Sequence, residues 1–476
     1  MTHKFHPSIL RAYDIRGLYN QTLFDSDAFF VGKSFASFLS KNKKKKVAVA
    51  CDGRMSSPAL KKQLIKALVE SGMEVTDVGM GPTPMLYFSV YHLDCDGGIM
   101  VTGSHNPKDH NGFKMMLKDR PFYGEDILGL AKLAAEGDFV EGEGSVKERD
   151  VQNKYIDRML SDCVLAESRS HLLDEVDEFK PRKKMKIAWD AGNGSAGEVM
   201  QALTKRIAAD HILLFEDVDG TFPNHHPDPT VPKNLADLIK VVLDQGCDLG
   251  IAFDGDGDRI GVVDNEGEII WGDQLMIFYA REILKDRLGS TIIADVKASN
   301  VLFDEIKKHG GKPVMGKTGH SLIKAKMKET GAVLAGEMSG HIFFADKYYG
   351  FDDALYAAIR IINIVSNSIY SLSHLRKSLP QTFSTPEIRV ECSEERKFKI
   401  VDELKENLKN SGTEFNDIDG VRVNAHKGWW LIRASNTQSV LVARCEAGSK
   451  EDLESLKESL RQNLNFCQVE LPEELR

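Results

Sequence analysis

Short apolar runs alternate with amphipathic stretches along the first three quarters of the chain. The first run, residues 47–51, is followed by a helical pattern over residues 57–71 and by a second run at 74–78. A third run, residues 98–101, ends directly before the polar segment 102–107. Apolar runs of this length, separated by helical patterns, predict βαβ units and a mostly parallel sheet.

The same order of elements returns twice further along the chain. Apolar runs separated by helical stretches occur at residues 186–190, 212–215 and 249–253, and again at 291–295, 313–316 and 331–334. In each case the third run ends on or just before a polar loop. This repetition predicts three copies of one α/β domain, each of which can contribute one loop to a shared site.

After about residue 371 the pattern changes to that of an antiparallel α+β domain. Strands are predicted at residues 387–392, 421–423, 429–433 and 440–445, with helices at 394–410 and 450–466. The predicted fold class is therefore α/β: three similar α/β domains with mostly parallel sheets plus a C-terminal α+β domain, arranged around a central cleft. The predicted boundaries are 1–152, 153–262, 263–372 and 373–476.

Composition and charge limit the domain count, the kinds of partner and the state of the cysteines that we expect. A chain of 476 residues is too long for a single core, and its net charge of −9 does not indicate a nucleic-acid partner. No apolar run reaches the roughly 18 residues needed to cross a bilayer, and the first residues lack a signal-peptide core, so we expect no membrane partner and a cytoplasmic location. Seven cysteines without CxxC pairs predict free thiols.

The segment after the third apolar run can present one serine hydroxyl. Gly103 permits close backbone approach, and Asn106-Pro107 prevents the strand from continuing. Ser104 is therefore left at a strand's carboxyl end, where open α/β sheets usually have their sites. Lys114, ten residues further on, is a candidate for charge stabilisation or proton transfer at that hydroxyl. The alternative is an ordinary turn whose polar residues have no catalytic role.

Three carboxylates alternate with glycines in the corresponding loop of the second module. Asp254, Asp256 and Asp258 can direct three hard oxygen ligands at one divalent cation. An EF-hand is not supported, because its sixth position would be Arg259 and its twelfth Asn265. The small number of ligands favours magnesium shared with a phosphate. Arg259 offers a bidentate fork for a phosphate oxygen.

Two further loops carry sugar-binding and phosphate-binding residue types. Glu337 and Ser339, two residues apart on a glycine-flanked loop, suit the vicinal hydroxyls of a sugar, and His341 can move a proton. The turn at residues 433–437 combines a guanidinium, hydroxyls and an amide, a composition that suits a phosphate. Each signal alone is only moderately specific.

Together these four loops resemble those of the α-D-phosphohexomutase family, in its phosphomannomutase/phosphoglucomutase branch. The phosphoserine loop matches residues 102–107, the metal loop 254–259, the sugar loop 336–341 and the phosphate loop 433–437, in the family order and one per domain. Met338 resembles the bispecific mannose and glucose enzymes, whereas phosphoglucosamine mutases typically carry Gln there. The resemblance covers essentially the whole chain.

The resemblance implies an isomerase that reversibly converts hexose 1-phosphate to hexose 6-phosphate, of mannose, glucose or both. It implies a phosphoserine enzyme with a 1,6-bisphosphate intermediate, Mg²⁺ as cofactor and hexose 1,6-bisphosphate as activator. The partner expected is the phosphorylated hexose, in a monomer or small homo-oligomer. The implied catalytic residues are Ser104, His105, Lys114, Arg259 and His341, and the implied metal ligands are Ser104, Asp254, Asp256 and Asp258. The implied substrate-binding residues are Tyr13, Arg16, Lys297, His320, Glu337, Met338, Ser339, Gly340, Arg433, Ala434, Ser435, Asn436 and Thr437.

Three alternatives remain open from the sequence. The first is a phosphoglucosamine mutase, which shares the loops but prefers another sugar. The second is a magnesium-dependent sugar phosphohydrolase that uses Ser104 covalently and passes the phosphate to water. The third is a sugar-phosphate-binding protein without catalytic activity, which would bind substrate but never carry phosphate on Ser104.

Overall fold

The structure, a computed structural model, describes residues 1–167, 184–436 and 439–475. The strands are β1 (Ile15–Leu18), β2 (Lys46–Cys51), β3 (Glu74–Met80), β4 (Gly97–Val101), β5 (His110–Leu117), β6 (Ser145–Glu148), β7 (Lys186–Asp190), β8 (Asp210–Leu214), β9 (Leu249–Phe253), β10 (Ile260–Asp264), β11 (Ile269–Ile270), β12 (Thr291–Asp295), β13 (Lys312–Gly316), β14 (Leu334–Gly336), β15 (Ile342–Phe344), β16 (Phe383–Ser384), β17 (Ile388–Glu391), β18 (Val421–Ala425), β19 (Gly428–Ala434) and β20 (Val440–Ala447).

Several of the α-helices begin on residues typical of helix starts. Ser299, Asp353 and Ser449, for example, each accept a hydrogen bond from a backbone N–H of the first turn. The helices are α1 (Asp25–Lys41), α2 (Ser57–Val69), α3 (Thr83–His92), α4 (Glu125–Glu136), α5 (Gln152–Leu160), α6 (Gly197–Thr204), α7 (Ala236–Gln245), α8 (Gly272–Asp286), α9 (Asn300–Lys308), α10 (His320–Thr330), α11 (Ala354–Ser366), α12 (Leu372–Lys377), α13 (Glu394–Asn410) and α14 (Lys450–Phe466).

Three sheets share one arrangement, a parallel core with antiparallel strands at one side. Their strand orders are β1-β5-β4-β2-β3-β6, β11-β10-β9-β7-β8 and β13-β12-β14-β15. The pairs among β4, β2, β3 and β6, among β9, β7 and β8, and among β13, β12 and β14 are parallel. The prediction of three similar α/β domains is confirmed.

The polar loop of each α/β domain is followed by an antiparallel strand that the apolar pattern did not predict. β5 returns beside β4, β10 beside β9 and β15 beside β14. The loop is therefore the connection of a hairpin, which fixes both of its ends at the same edge of the sheet. On the first of these return strands lies Lys114, opposite Met100 of β4.

One predicted strand differs in its start. The strand predicted at residues 331–334 begins later, at Leu334, because Gly331 has a φ of 66° and ends helix α10 in the left-handed conformation. The first sheet also gains an edge strand near the start of the chain, since Ile15–Leu18 forms β1. β1 pairs antiparallel with β5, so the polar residues before it are tied to the strand that follows Ser104.

The C-terminal domain is an antiparallel sheet with two long helices, which confirms the α+β prediction. The order is β16-β20-β19-β18, and β17 also pairs with β20. Leu404 of α13 and Leu460 of α14 share a buried cluster with Trp430 of β19. Trp429 and Leu431, one residue away along the strand, instead pack with Val296, which follows β12. One face of β19 thus packs in the core of its own domain, and the other face packs against the third domain.

One continuous apolar cluster extends through the first three sheets and their helices. It contains Phe88 and Tyr155 near the first sheet, Trp189 in the second, and Tyr279 and Tyr356 beside the third. The C-terminal domain has its own cluster. The loops of the first three domains are therefore held together by shared packing, whereas the C-terminal domain is attached by a smaller contact. In the part of the chain that the structure describes, no helix is both long and apolar enough to cross a membrane.

Candidate functional site

The Ser104 hydroxyl lies in a buried, polar environment at the end of β4. Ser104 is a non-glycine residue with a φ of 52°, and its backbone N–H donates to the Thr102 hydroxyl over 2.8 Å. Its Oγ is 3.3 Å from Asp254 Oδ2 and 3.4 Å from Lys114 Nζ. A left-handed backbone conformation is strained for a residue other than glycine, so the surrounding structure must hold Ser104 in place.

A buried arginine provides most of that support. Arg54 is 1% exposed, and its guanidinium donates to backbone carbonyl oxygens of the loop. The acceptors are Ser104 (2.7 Å), Asn106 (2.6 Å), Pro107 (2.5 Å) and His110 (3.0 Å). One fork of planar donors thus fixes four points of the loop that presents the hydroxyl.

Asp52 completes this support from the end of β2. Its carboxylate accepts from Arg54 Nε at 3.1 Å, from the Ser57 hydroxyl at 2.5 Å and from the Gly103 N–H at 3.1 Å. Our reading of the sequence did not identify Asp52 or Arg54. The signal was present, because both follow a parallel strand at the carboxyl edge of the sheet that carries Ser104.

The three predicted metal ligands are brought together and fully buried. Asp254, Asp256 and Asp258 each have no exposed surface, and each offers a carboxylate oxygen within 4.8 Å of the others. Asp256 Oδ2 accepts from the Thr83 hydroxyl at 2.5 Å and from Lys114 Nζ at 2.7 Å, and Lys114 also pairs with Asp258. Thr83 was another residue that we did not predict.

This cluster carries more negative than positive charge. Burial, followed by the neighbouring Asp258 and Asp256, raises the pKa of Asp254 well above its ordinary value. Burial also opposes the charge of Asp256, but the contacts with Lys114 outweigh it and lower the pKa of Asp256. Asp256 Oδ1 and Asp258 Oδ1 have no hydrogen-bond partner among the described residues. Unpaired, buried carboxylate oxygens of this kind fit a divalent cation.

Arg259 and His341 join the second and third domains. Arg259 Nε donates to His341 Nε2 over 3.0 Å, so that ring nitrogen is unprotonated. His341 Nδ1 lies 3.0 Å from Asp352 Oδ2 and 3.6 Å from Asp258 Oδ1. Asp352 was not predicted, and no local sequence pattern distinguishes it. Lys324 Nζ donates to its other oxygen over 2.9 Å.

The sugar loop is held by its neighbours in the third domain. Glu337 is buried and accepts from the Gly319 N–H over 2.5 Å. Gly340 has a φ of 90°, and a Cβ there would lie 2.4 Å from the Ile260 carbonyl, so only glycine fits. His320 begins α10, and its ring stacks on His341 with centroids 5.5 Å apart. Met338 and Ser339 are half-buried between these contacts, with the Met338 sulfur against Arg444.

The phosphate loop of the C-terminal domain meets both the first and the third domain. Arg433 Nε donates to Asp419 Oδ2 over 2.9 Å, and that oxygen also accepts from the Thr318 N–H at 3.0 Å. Asn436 Nδ2 donates to the Tyr13 hydroxyl over 2.6 Å, and Tyr13 donates to the Thr318 carbonyl over 2.8 Å. Burial raises the pKa of Tyr13, which keeps this phenol protonated.

The remaining predicted residues differ in how closely they approach Ser104. His105 Nδ1 is 3.2 Å from Ser104 Oγ, and Arg16 Nη1 donates to Asn106 Oδ1 over 2.9 Å. Lys297 instead donates to Glu387 over 3.0 Å, at the boundary between the third and fourth domains. Ala434 and Ser435 are buried in the phosphate loop, and Thr437 lies outside the described residues.

Comparison with known protein families agrees with this arrangement. Four profiles of phosphoglucomutase/phosphomannomutase match the chain in order: α/β/α domain I over residues 7–140, domain II over 166–267, domain III over 271–383 and the C-terminal domain over 387–463. The boundaries that we predict after residues 152, 262 and 372 stay predictions.

Individual relatives cover nearly the whole chain. A phosphomannomutase/phosphoglucomutase of Pseudomonas aeruginosa is 44% identical over 465 residues, 98% of this chain and 97% of that protein. A phosphoglucomutase of Neisseria meningitidis serogroup A is 42% identical over 95% of this chain and 96% of that protein. A crystal structure of a phosphoglucomutase/phosphomannomutase family protein from Burkholderia thailandensis superposes with a TM-score of 0.90 at 40% identity, covering 99% of this chain and 100% of that one. The chain therefore belongs to the phosphoglucomutase/phosphomannomutase family of isomerases, as its four loops predict.

Proposed function

We propose that this protein interconverts hexose 1-phosphates and hexose 6-phosphates, of mannose, glucose or both, with Ser104 as the phosphoryl carrier. The observation that carries the proposal is the position of the Ser104 hydroxyl. Its Oγ lies 3.3 Å from Asp254 and 3.4 Å from Lys114. A hydroxyl beside a carboxylate cluster and a fixed ammonium is the arrangement that phosphoryl transfer requires.

Magnesium is the cofactor that the aspartate loop fits best. Asp254, Asp256 and Asp258 would hold it together with an oxygen on Ser104, because all the protein ligands are hard oxygens. When bound, Mg²⁺ withdraws charge from the phosphoryl oxygens. Asp256 Oδ1, buried without a hydrogen-bond partner among the described residues, is the observation that supports this fit.

Phosphoryl transfer also needs positive charge at the phosphoryl oxygens and a base for the hydroxyl proton. As the bond between phosphorus and Ser104 Oγ breaks and one to the sugar 6-hydroxyl forms, Lys114 and Arg259 stabilise the equatorial oxygens. The hydroxyl proton passes to a base, for which His341 is the candidate; its Nε2, which accepts from Arg259 Nε over 3.0 Å, takes the proton when that hydrogen bond is given up. Burial and then Arg259 hold the pKa of His105 well below its ordinary value, so this ring next to Ser104 is also neutral.

The sugar and its remote phosphate are bound by the third and fourth domains. Glu337 and Ser339 contact ring hydroxyls, and Met338 and Gly340 shape the same loop. The non-reacting phosphate is bound by the phosphate loop, made of Arg433, Ala434, Ser435, Asn436 and Thr437. The further substrate contacts that we propose are Tyr13, Arg16, Lys297 and His320.

Completion of the reaction requires that the bisphosphate turn over in the cleft. Its 1-phosphate then faces Ser104, which accepts that phosphoryl group and leaves hexose 6-phosphate. Hydroxyls 3 and 4 lie near the pseudo-axis that relates the two ends of the sugar, so Glu337 and Ser339 can serve both orientations. Closure of the C-terminal domain excludes water from the phosphoserine. Hexose 1,6-bisphosphate is accordingly the proposed activator, because it restores phosphate to Ser104 after accidental loss.

The test is a product analysis with glucose 1-phosphate, mannose 1-phosphate and glucosamine 1-phosphate, each with and without a trace of bisphosphate. We expect hexose 6-phosphate from the glucose or mannose substrate, activation by the bisphosphate and no free phosphate. Inorganic phosphate without hexose 6-phosphate would establish a phosphohydrolase, and a preference for glucosamine 1-phosphate would establish a phosphoglucosamine mutase. Ser104→Ala controls for contaminating activity. A cytoplasmic location and a monomer or small homo-oligomer stay predictions.

A further inference from the structure

Each of the three α/β domains has a buried aspartate at the carboxyl end of its central strand. The residues are Asp52 directly after β2, Asp190 as the last residue of β7 and Asp295 as the last residue of β12, and we call them the strand-end aspartates. They are 3%, 0% and 0% exposed. Because β2, β7 and β12 each pair in parallel with a strand on both sides, the three positions are equivalent in the repeated fold.

Asp52 shows what a carboxylate at this position does in the first domain. It accepts from the Gly103 N–H of the phosphoserine loop at 3.1 Å. It also accepts from Arg54 Nε at 3.1 Å, and Arg54 in turn donates to the Ser104 carbonyl over 2.7 Å. The loop is thus held once by the aspartate directly and once through a neighbour of the aspartate.

Asp190 supports the metal loop of the second domain through the segment that follows β7. Its Oδ1 accepts from the Gly192 N–H over 2.8 Å. Further along this segment, Ser195 donates to the Gly255 carbonyl from its N–H over 3.0 Å and from its hydroxyl over 3.2 Å. Gly255 lies between the first two aspartates of the metal loop, so Asp190 fixes the turn that carries the partner of that loop.

A second route from Asp190 ends at the same glycine. Asp190 Oδ2 accepts from His225 Nε2 over 3.0 Å, and the nearby Pro227 carbonyl accepts from the Gly255 N–H over 3.2 Å. Burial opposes a charge on His225, but the hydrogen bond and the charge of Asp190 outweigh it and raise the pKa of His225. Both the N–H and the carbonyl of Gly255 are therefore held by segments that are bound to Asp190.

Asp295 reaches the sugar loop of the third domain both directly and through a neighbour. Its Oδ1 accepts from the Met338 N–H over 3.4 Å, and its Oδ2 accepts from the Thr318 hydroxyl over 3.0 Å. The residue after Thr318 is Gly319, whose N–H donates to Glu337 Oε1 over 2.5 Å. The carboxylate that we expect to bind sugar hydroxyls is thus oriented by a turn that Asp295 holds.

The strand-end aspartates are kept in place at an energetic cost. Burial raises the pKa of Asp295 to about 6, which shows that its charged form is disfavoured there. The carboxyl edge of a parallel sheet is where open α/β folds build their sites. Three equivalent carboxylates, each with contacts that lead to a different functional loop, indicate one shared role.

We propose that the strand-end aspartates are positioning residues: Asp190 holds the metal loop and Asp295 holds the sugar loop in the geometry that binds their ligands, as Asp52 does for the phosphoserine loop. This role rests on the proposed function for the ligand that each loop binds. Loss of one strand-end aspartate should therefore impair the ligand of its own loop and leave the other ligand unaffected.

Calorimetry with one ligand at a time tests this separation. Mg²⁺ is titrated into protein without sugar, and glucose 1-phosphate into metal-stripped protein, so that no turnover occurs. Asp190→Ala should weaken Mg²⁺ binding about 10-fold, the lower end of the effect of contacts that orient metal ligands, and should bind glucose 1-phosphate unchanged. Asp295→Ala should bind Mg²⁺ unchanged and weaken glucose 1-phosphate binding about 10-fold.

Asp264→Ala is the matched control. Asp264 is 0% exposed, is the last residue of β10 and accepts from Arg376 Nε over 2.7 Å. It lies opposite Leu249, the first residue of β9, and therefore at the other edge of the sheet from the metal loop. Its loss should lower the midpoint of thermal unfolding and change neither affinity.

Two milder variants keep the test valid if an alanine variant does not fold. His225 Nδ1 donates to the His226 carbonyl over 3.0 Å, so a neutral ring can accept at Nε2 from the side-chain amide of Asp190→Asn. Asp190→Asn should therefore recover most of the Mg²⁺ affinity. Thr318→Val removes only the hydroxyl that Asp295 accepts from, and should show part of the loss of glucose 1-phosphate affinity.

Failure of the proposed function is recognised separately from failure of the positioning role. An unmodified protein that binds both ligands but forms no hexose 6-phosphate would overturn the function, and the affinities of the variants would still decide the positioning role. Equal weakening of both ligands by Asp190→Ala and Asp295→Ala would overturn the positioning role. Affinities in these two variants that match those of Asp264→Ala would overturn it as well.

Discussion

Two buried clusters of charge in this protein are built in opposite ways. The first contains the three aspartates of the metal loop and Lys114, so carboxylates outnumber cations. The second, which we call the interface cluster, contains Arg422, Arg444, Trp429 and Glu446 and lies between the third and fourth domains. In the interface cluster, the two guanidinium groups meet the carboxylates of Glu446 and Asp273, and backbone carbonyls and an aromatic ring satisfy them further.

The contacts of the interface cluster are nearly complete. Arg422 donates to the Val296 and Ala298 carbonyls and, over 2.6 Å, to Asn300 Oδ1, and its guanidinium lies 3.7 Å from the centre of a Trp429 ring. Glu446 Oε1 accepts from Trp429 Nε1 at 2.9 Å. Only the Nε atoms of the two arginines lack a hydrogen-bond partner among the described residues.

Unpaired atoms distinguish the aspartate cluster from the interface cluster. Both clusters are buried and charged, so burial and charge alone do not identify function. The metal loop keeps carboxylate oxygens unpaired at an energetic cost, whereas the interface cluster uses nearly all its donors and acceptors. Unpaired buried oxygens therefore indicate a place for a ligand, and paired ones indicate a domain contact.

The largest effect is expected from Asp256→Asn. The change weakens metal binding and the positioning of Lys114, so kcat should fall about 10²–10³-fold, whereas Asp258 still pairs with Lys114 and limits the loss of stability. Steady-state kinetics and thermal unfolding of the same preparation measure both effects. A large fall in the unfolding midpoint with little loss of kcat would instead show that the aspartates and Lys114 form a structural contact, as the interface cluster does.

Arg54→Met is expected to affect both rate and stability. Arg54 donates to backbone carbonyls, as the arginines of the interface cluster do. Its acceptors, however, belong to the loop that presents Ser104. Loss of the fork leaves Asp52 buried without its partner, which costs about 3 kcal/mol of stability, and misplacement of the hydroxyl costs about 10²-fold in kcat. Arg54→Lys keeps the positive charge but removes the planar guanidinium that donates to several carbonyls at once. Full activity in that variant would show that charge alone is sufficient.

Arg422→Met should lower stability more than turnover. The Val296, Ala298 and Asn300 oxygens lose their donor, which we expect to cost about 2–4 kcal/mol in the free energy of unfolding. Because Arg422 does not touch Ser104 or the aspartates, kcat should change much less than in Asp256→Asn. Urea unfolding and kinetics measure the two effects. A loss of kcat as large as that of Asp256→Asn would contradict the assignment of this cluster to structure.

The smallest effect is a pH dependence from His211, a half-buried histidine outside both clusters. Trp189 Nε1 donates to its Nδ1 over 3.0 Å, and burial holds the pKa of His211 below its ordinary value. The unfolded ring takes up a proton near pH 6.5 before the folded one does, so stability is unaffected above that pH and falls below it. His211→Gln should reduce this fall by less than about 1 kcal/mol, measured by urea unfolding at pH 7.5 and 5.5. An identical pH dependence in both proteins would contradict the assignment.

The fold and the four loops were predictable because their signals are local. β4 and β9 are apolar throughout because both faces of a parallel core strand are covered, and the polar loop follows immediately in sequence. The aspartates of the metal loop are within five residues of one another. The antiparallel strand β10 after the metal loop is equally buried, but a run of five buried residues does not reveal its direction.

The supporting residues were not predictable because their contacts are distant in sequence. Thr83 meets Asp256 across 173 positions, and Arg54 meets the carbonyl of Ser104 across 50. Asp352 meets His341 only because the strand after the sugar loop turns back before α11 begins. These contacts depend on how the sheets pack, and packing is set by the whole core rather than by any one segment.

The most direct test of the central claim is whether Ser104 carries a phosphoryl group. Intact-mass measurement and peptide mapping would follow incubation of the protein with Mg²⁺ and hexose 1,6-bisphosphate, with Ser104→Ala as the control. The account predicts one phosphoryl group on Ser104, still present after turnover of hexose 1-phosphate because each completed cycle returns a phosphoryl group to that hydroxyl. A mass without a phosphoryl group after the incubation, or phosphate on another residue, would contradict it.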